Sequence, residues 1–136
     1  MSTTKQVQAA VNFLTHFIGR SQLSVICNNC RGEEGQYFKN KLVEMAETIK
    51  AMPATYQTDG QGDQAQVILH YFRGGHDWYI TEKDMENPQH QAFGLACVHE
   101  AELGYISIAE LIHHGVELDL YFKPCTLAEI KAKIAA

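Results

Sequence analysis

Residues 66–83 read QVILHYFRGGHDWYITEK, and this stretch predicts the centre of the fold. The runs 66–72 and 77–83 are rich in β-branched and aromatic residues, which favour strands. They flank Gly74 and Gly75, a pair typical of the turn of a β-hairpin. Both runs carry apolar residues on their two faces. We therefore expect a sheet that helices cover on one side, with the other side partly covered by something else, such as a partner or a second copy.

Alternation of apolar and polar residues continues beyond the hairpin. It predicts a third strand at 91–98, a short fourth strand at 104–106 and a half-buried strand at 116–122. Between the last two, Ser107 and Glu110 match the capping-box pattern, which predicts a short helix.

Helical periodicity dominates the chain before the hairpin. Residues 5–18 and 33–52 each place their apolar side chains on one stripe of a helix. Gly19 and Pro53 are the expected stops of these two helices. Residues 22–30 are less regular and fit a short helix.

The order of these elements predicts a single α+β domain with a mostly antiparallel sheet of four or five strands. N-terminal helices are expected to pack on the sheet, and a short helix that opens at the Thr126–Glu129 capping box ends the chain. The helical part would span 1–53, the β-rich part 54–122 and the C-terminal helix 126–134. A length of 136 residues fits one domain with one core.

Charge is distributed unevenly along the chain. The formal net charge is -5, yet residues 54–122 alone carry two bases, Arg73 and Lys83, against eleven acids, a net of -9. Such a segment repels nucleic-acid phosphates and suits a basic partner, so we expect no direct binding of duplex DNA through it. The alternative interpretation is a solvated acidic surface that only maintains solubility.

The acids of this segment are the candidate partner-binding residues: Asp59, Asp63, Asp77, Glu82, Asp84, Glu102, Glu117 and Asp119. Carboxylates grouped on a sheet also attract Mg²⁺ or Ca²⁺, so a metal-dependent hydrolase or nuclease that uses Asp77, Glu82, Glu117 or Asp119 is an alternative. The sequence contains no P-loop, dinucleotide fingerprint, nucleophile elbow or EF-hand loop. We therefore predict a binding protein with no catalytic residues, no metal and no cofactor.

Cysteines provide a weaker signal. Cys27 and Cys30 have CxxC spacing, but a structural zinc site needs two more ligands, and Cys97 and Cys125 stand alone. Structural, metal-binding and redox roles all stay open for the pair. The low cysteine count, the polar N-terminus and the lack of a long apolar run lead us to expect reduced thiols in a cytoplasmic protein that does not enter a membrane.

Seven stretches together resemble one protein family: MPATY (52–56), TDGQGD (58–63), LHYF (69–72), DWYITE (77–82), QHQAFG (89–94), ELGYIS (102–107) and ELDLYF (117–122). The family comprises uncharacterised domains in proteins of plasmids, phages and integrative elements. Some members are free-standing, and others are modules of large polyvalent proteins that travel with conjugation and antirestriction genes.

The resemblance implies a context and no catalytic motif. It suggests an accessory protein of a bacterial mobile genetic element that blunts a host restriction or CRISPR system. The partner would then be a protein or nucleoprotein complex of the host, which the acidic segment binds. A structural or regulatory module that forms a homodimer through the aromatic sheet face is a further alternative.

Overall fold

The N-terminal part of the chain is helical in the computed structural model, which describes residues 2–136. Its helices are α1 (Thr4–Leu14), α2 (Arg20–Asn29) and α3 (Gly35–Ala51). The predicted stripe of α3 faces the core, where Leu42 and Ile49 are buried. None of the helices in residues 2–136 combines the length and the apolar character that a membrane span requires.

The first helix is shorter than predicted. It ends at Leu14, and residues 15–18 form a turn in which the Thr15 hydroxyl donates to the carbonyl of Asn12 at 2.7 Å. Gly19 is therefore not the stop of α1 but the N-cap of α2, in an extended conformation. Phe17 and Ile18 are buried in the core from within this turn.

The main sheet has five antiparallel strands in the order β5-β4-β3-β2-β6. Its strands are β2 (Leu69–Arg73), β3 (His76–Glu82), β4 (Ala92–Cys97), β5 (Ala101–Ile106) and β6 (Glu117–Leu118). Strands β1 (Gln66–Val67) and β7 (Cys125–Thr126) form a second, two-stranded sheet. Helix α4 (Ile108–His113) lies between β5 and β6, and α5 (Leu127–Ala135) ends the chain. The α+β class, the antiparallel sheet and the terminal helices confirm the predicted fold.

Different parts of the chain cover the two faces of the main sheet. Leu69, Tyr71 and Ile80 point to the helices α1–α3 and belong to the larger core cluster. On the opposite face, Leu95 packs with Leu127 of α5 in a second cluster. The second face, for which a partner or a second copy was an expected cover, is thus partly covered by the C-terminal helix of the same chain.

The strand predicted at 116–122 is wrong in length. Strand β6 covers only Glu117–Leu118. Directly after it, the carboxylate of Asp119 accepts the N–H of Tyr121 at 3.0 Å, which turns the chain away from the sheet. Apolar residues still alternate in the sequence up to Phe122, but Leu120 and Phe122 lie in a turn and not in a strand.

A β-bulge interrupts the pairing of β3 with β4. The register shifts between Ile80 and Glu82, so Thr81 is an extra residue. Gly94 sits opposite the bulge, and a Cβ there would collide with the carbonyl oxygen of Tyr79. The bulge reverses the side-chain alternation and puts Glu82 on the same face as Asp77.

Candidate functional site

His70 joins two of the predicted acids on the second face of the sheet. Its Nε2 lies 2.7 Å from an oxygen of Asp77, and its Nδ1 lies 3.1 Å from an oxygen of Asp119. The imidazole ring stacks on Tyr79 with ring centroids 4.7 Å apart. We call His70, Asp77, Tyr79 and Asp119 the His70 cluster. Only a protonated imidazole donates to both carboxylates at once, because the neutral ring has one N–H.

The His70 cluster fastens three parts of the sheet together. His70 belongs to β2, Asp77 to β3, and Asp119 to the turn after β6. The backbone N–H of Asp119 also donates to the carbonyl of His70 at 2.8 Å. Burial, together with the nearby carboxylates of Asp77 and Asp119, raises the pKa of Tyr79 to about 12. Two of the eight candidate acids are therefore engaged inside the molecule.

Glu82 is buried, with 2% of its surface exposed. One carboxylate oxygen accepts the N–H of Tyr56 at 2.9 Å, and the other accepts the N–H of Thr58 at 2.8 Å and the Thr58 hydroxyl. These bonds hold Tyr56 at a φ of 76°, a conformation that non-glycine residues rarely adopt. Glu82 therefore shapes the loop before β1 and does not reach the surface as a contact residue.

Two more of the candidate acids have partners within the chain. Asp63 forms an ion pair with Lys131 of α5, with 2.7 Å between the charged atoms. Asp84 accepts the N–H groups of Glu86 at 3.1 Å and Gln91 at 2.9 Å, and so orders its own loop. Neither arrangement leaves the carboxylate wholly free for a partner.

The remaining three candidates, Asp59, Glu102 and Glu117, are exposed. Within residues 2–136, none of them has a salt-bridge partner. They do not form one patch. Cross-strand pairing puts Glu102 on the helix side of the sheet, beside Ala96, and Glu117 on the opposite side, beside Phe72. The exposed acids therefore lie at the two ends of the sheet.

The carboxylates that a metal-dependent hydrolase needs do not converge. Asp77 and Asp119 meet at His70, whereas Glu82 is buried at the other end of β3 and Glu117 points to solvent. In the described part of the chain, no three His, Cys, Asp or Glu side chains gather closely enough to hold a metal ion. The site that the hydrolase alternative requires is not formed by these residues.

The two bases of the β-rich section serve helix ends. The ammonium of Lys83 donates to the carbonyls of Ile49 and Lys50 at the end of α3, at 2.8 and 3.0 Å. A guanidinium nitrogen of Arg73 donates to the carbonyl of His114, which caps α4. Both contacts satisfy C-terminal carbonyls and complement the helix dipole. Burial lowers the pKa of Lys83. Neither base neutralises a candidate acid.

A cavity of about 270 Å³ lies at the β5 end of the sheet, beneath the loop before β1. The sequence pattern did not predict this cavity, because the predicted fourth strand starts at Gly104 and leaves Leu103 outside it. We call Tyr56, Asp59, Phe93, Leu103 and Tyr105, all of which line the cavity, the β5 pocket. The hydroxyls of the two tyrosines are hydrogen-bonded at 2.7 Å. These tyrosines and the leucine stay exposed by 57%, 58% and 47%.

The two edges of the main sheet differ. At β6, the side-chain amide of Gln22 accepts the N–H of Leu118 at 2.9 Å and donates to the carbonyl of Leu118 at 2.7 Å. At the other edge, Ala101–Ile106 pairs with β4 alone. This strand carries one charged residue, Glu102, and no Lys, Pro or bulge interrupts it.

The cysteines add no reaction centre to these surfaces. All four are free thiols, and Cys30 donates to the Ile26 carbonyl at 3.5 Å. Burial raises the pKa of Cys27 and of Cys30, which disfavours the thiolate that redox chemistry and metal binding need. The site thus offers exposed charge, an open strand edge and a small pocket.

Comparisons of the chain with protein-family models, with curated proteins and with solved structures found no match.

Proposed function

We propose that this protein is an accessory binding protein that engages a basic surface of a protein or nucleoprotein partner through its acidic β-rich section. One observation carries the proposal: the negative charge is not compensated inside the molecule. The chain has 16 Asp and Glu residues, and within residues 2–136 the Asp63–Lys131 pair is the only one that joins a carboxylate to a Lys or Arg. The exposed acids Asp59, Glu102 and Glu117 lie at the two ends of the sheet and each add to the negative charge that attracts a basic partner.

The placement of the bases argues against a surface that only maintains solubility. Soluble surfaces usually intersperse charges of both signs. Here Arg73 and Lys83, the two bases of residues 54–122, are withdrawn to helix carbonyls. Residues 54–122 keep a formal net charge of -9, and a negative surface attracts a basic partner and speeds its association.

The resemblance to domains of mobile genetic elements suggests which partner this is. In that setting the protein would act in a bacterial cytoplasm and inhibit a host restriction or CRISPR complex. Such complexes hold nucleic acid in channels lined by Lys and Arg, and exposed carboxylates would compete there with phosphates. A protein that binds in this way needs no catalytic centre of its own.

The proposal is tested by capture from a lysate of the bacterial host at low salt. We expect the tagged protein to retain a nucleic-acid-processing complex and to release it as the salt concentration rises, because charge attraction is screened. The variant Asp59→Asn, Glu102→Gln, Glu117→Gln should retain about tenfold less of the complex.

A matched control changes the same number of charges elsewhere. The variant Glu33→Gln, Glu34→Gln, Glu47→Gln alters exposed acids of the helical part and should capture the complex as the wild type does. Equal losses in both variants, or a lysate that yields no nucleic-acid-processing complex, would contradict the proposal.

Neither alternative function has a comparable observation behind it. The carboxylates that a hydrolase would use are separated, as described above. A dimer through the aromatic sheet face would meet α5, because Leu127 and Ile130 already pack on that face beside Tyr79.

A further inference from the structure

We propose that an extended, basic segment of the partner adds to the main sheet as a sixth strand beside β5 and places a Lys or Arg side chain in the β5 pocket. The inference rests on the proposed function and deepens it. It assigns the place of contact and the chemistry of the segment that binds there.

The backbone of β5 is suited to strand addition. Its six residues pair with β4 in an unbroken register from Cys97–Ala101 to Ala92–Ile106. In an antiparallel pair, every second residue of an edge strand directs its N–H and C=O away from its neighbour. These groups form a ready template for an added strand, which is a common mode of peptide recognition.

The opposite edge does not offer this template. Gln22 occupies both hydrogen-bonding groups of Leu118, and β6 has only two residues. The sheet of residues 2–136 therefore has one long free edge, and it is the one that borders the β5 pocket. Leu103 and Tyr105 belong to both features, so a strand beside β5 would run along the border of the pocket.

The pocket selects for one long cationic side chain. Phe93, Leu103 and Tyr105 form an apolar and aromatic wall, against which the methylene groups of Lys or Arg pack well. Asp59 supplies a carboxylate at the same cavity, and no Lys or Arg of the described residues lines it. Its volume of about 270 Å³ lies below the range of about 300–1,000 Å³ typical of small-molecule sites, which favours a single side chain.

The surroundings of Tyr105 are negative. Its hydrogen bond with Tyr56 and partial burial raise the pKa of Tyr105, and the charges of Asp59 and Glu82 raise it further. A cation in the pocket would therefore meet an attractive potential from two carboxylates, one exposed and one buried.

Charge also decides between a basic segment and a second copy of the chain. Pairing of β5 with itself would bring Glu100, Glu102 and Asp59 of two copies to one interface. Like charges at a strand pairing are destabilising, and each chain carries a net charge of -5. A Lys- or Arg-bearing strand instead gains from the same acids.

The test uses the full chain and a capped heptapeptide of alternating valine and lysine as the probe, followed by ¹H–¹⁵N NMR. We expect saturable shifts in the amides of residues 101–106 and of Asp59. The same peptide with N-methyl groups on alternate residues keeps its charge but cannot complete the ladder, so its affinity should fall about tenfold or more. Glutamate in place of lysine should abolish binding.

Variants locate the site. Leu103→Lys puts a cation of the chain itself into the pocket and should weaken binding of the valine–lysine peptide about tenfold. The matched control is Val98→Lys, which changes another exposed apolar residue, just beyond the end of β4 and outside the pocket, to the same side chain. It should bind like the wild type.

The outcomes separate this inference from the proposed function. Shifts confined to the His70 cluster, with no effect of N-methylation, would overturn strand addition while acidic-surface binding stands. The absence of any amide chemical-shift change at about 1 mM peptide would also overturn strand addition. The lysate capture then tests the proposed function independently. A dimer in sedimentation equilibrium that Leu103→Lys dissociates would assign the edge to a second copy and overturn the inference.

Discussion

The two edges of one sheet are built in opposite ways. At the β6 edge, Gln22 closes the hydrogen-bonding groups of Leu118, and the His70 cluster ties the adjacent strands together. At the β5 edge, six residues stand without a second neighbour beside an exposed pocket. The hydrogen-bonding groups at the β6 edge are paired within the molecule, and those at the β5 edge are free to pair with an added strand.

The chemistry of a glutamine side chain explains how an edge is closed without another strand. Its amide has one carbonyl and one NH₂ group, so it reproduces the donor and acceptor of a peptide unit. Gln22 lies 96 residues before Leu118, yet it ends the ladder as a further strand would. Stability is therefore expected to depend on the inner strands and the closed β6 edge, and binding on the open β5 edge.

The largest contrast is expected from two paired glycines. Gly94 and Gly104 are cross-strand partners, but a Cβ on Gly94 would strike the Tyr79 carbonyl, whereas a Cβ on Gly104 meets no atom within 4 Å. We expect Gly94→Ala to lower the free energy of unfolding by about 3 kcal/mol. Gly104→Ala should change it by less than about 1 kcal/mol, measured by urea denaturation. Equal losses would show that the β5 end is packed as tightly as the interior.

A smaller effect is expected at the closed edge. Gln22→Leu leaves the N–H and C=O of Leu118 unpaired in a site that is 1% exposed, which should lower the free energy of unfolding by about 2 kcal/mol. The control at the open edge is Glu102→Leu, which removes no hydrogen bond and should change stability by less than about 0.5 kcal/mol. If Gln22→Leu proves neutral in the same denaturation experiment, the edge is not closed by this residue.

The smallest expected effect is a pH dependence. The pKa of Tyr79 rises from 10.0 to about 12 on folding, so the unfolded chain loses this proton first. Stability is then fully present below pH 10 and falls as the pH rises toward 12. We expect Tyr79→Phe to lose less stability than the wild type across this window, in denaturation curves at several pH values.

The corresponding change at the other end of the sheet is Tyr105→Phe. The pKa of Tyr105 is also raised, first by its hydrogen bond with Tyr56, but this side chain is exposed. Its effect on alkaline stability should therefore be smaller than that of Tyr79→Phe. Burial raises the pKa of Tyr71. Tyr71 is unchanged in the wild type, Tyr79→Phe and Tyr105→Phe, so its contribution to the pH dependence of stability cancels in the comparison. The reverse order of effects would contradict the assignment of stability to the inner strands and of binding to the open β5 edge.

Local patterns in the sequence were sufficient for much of the fold. The hairpin at Gly74 and Gly75 formed as predicted, with Arg73 opposite His76. The Thr126–Glu129 capping box begins α5. These features depend on residues within a few positions of each other, so backbone propensity and side-chain periodicity are enough to specify them.

The site depended on contacts that no local pattern records. The acidic segment and its eight candidates could be identified from the sequence. A bulge at Thr81 places Glu82 beneath the Tyr56–Thr58 loop, which buries it, and an Asp119 turn shortens the last strand. Gln22 and Leu118 meet only after α2 has packed beside β6.

The amino-acid sequence by itself determined the kinds of element, their order and the excess of acids in residues 54–122. Tertiary structure decided which acids stay exposed, which strand edge is closed and where a pocket opens. The reason is physical: periodicity and charge are properties of neighbours along the chain. Burial and hydrogen-bond completion depend on residues brought together from distant positions.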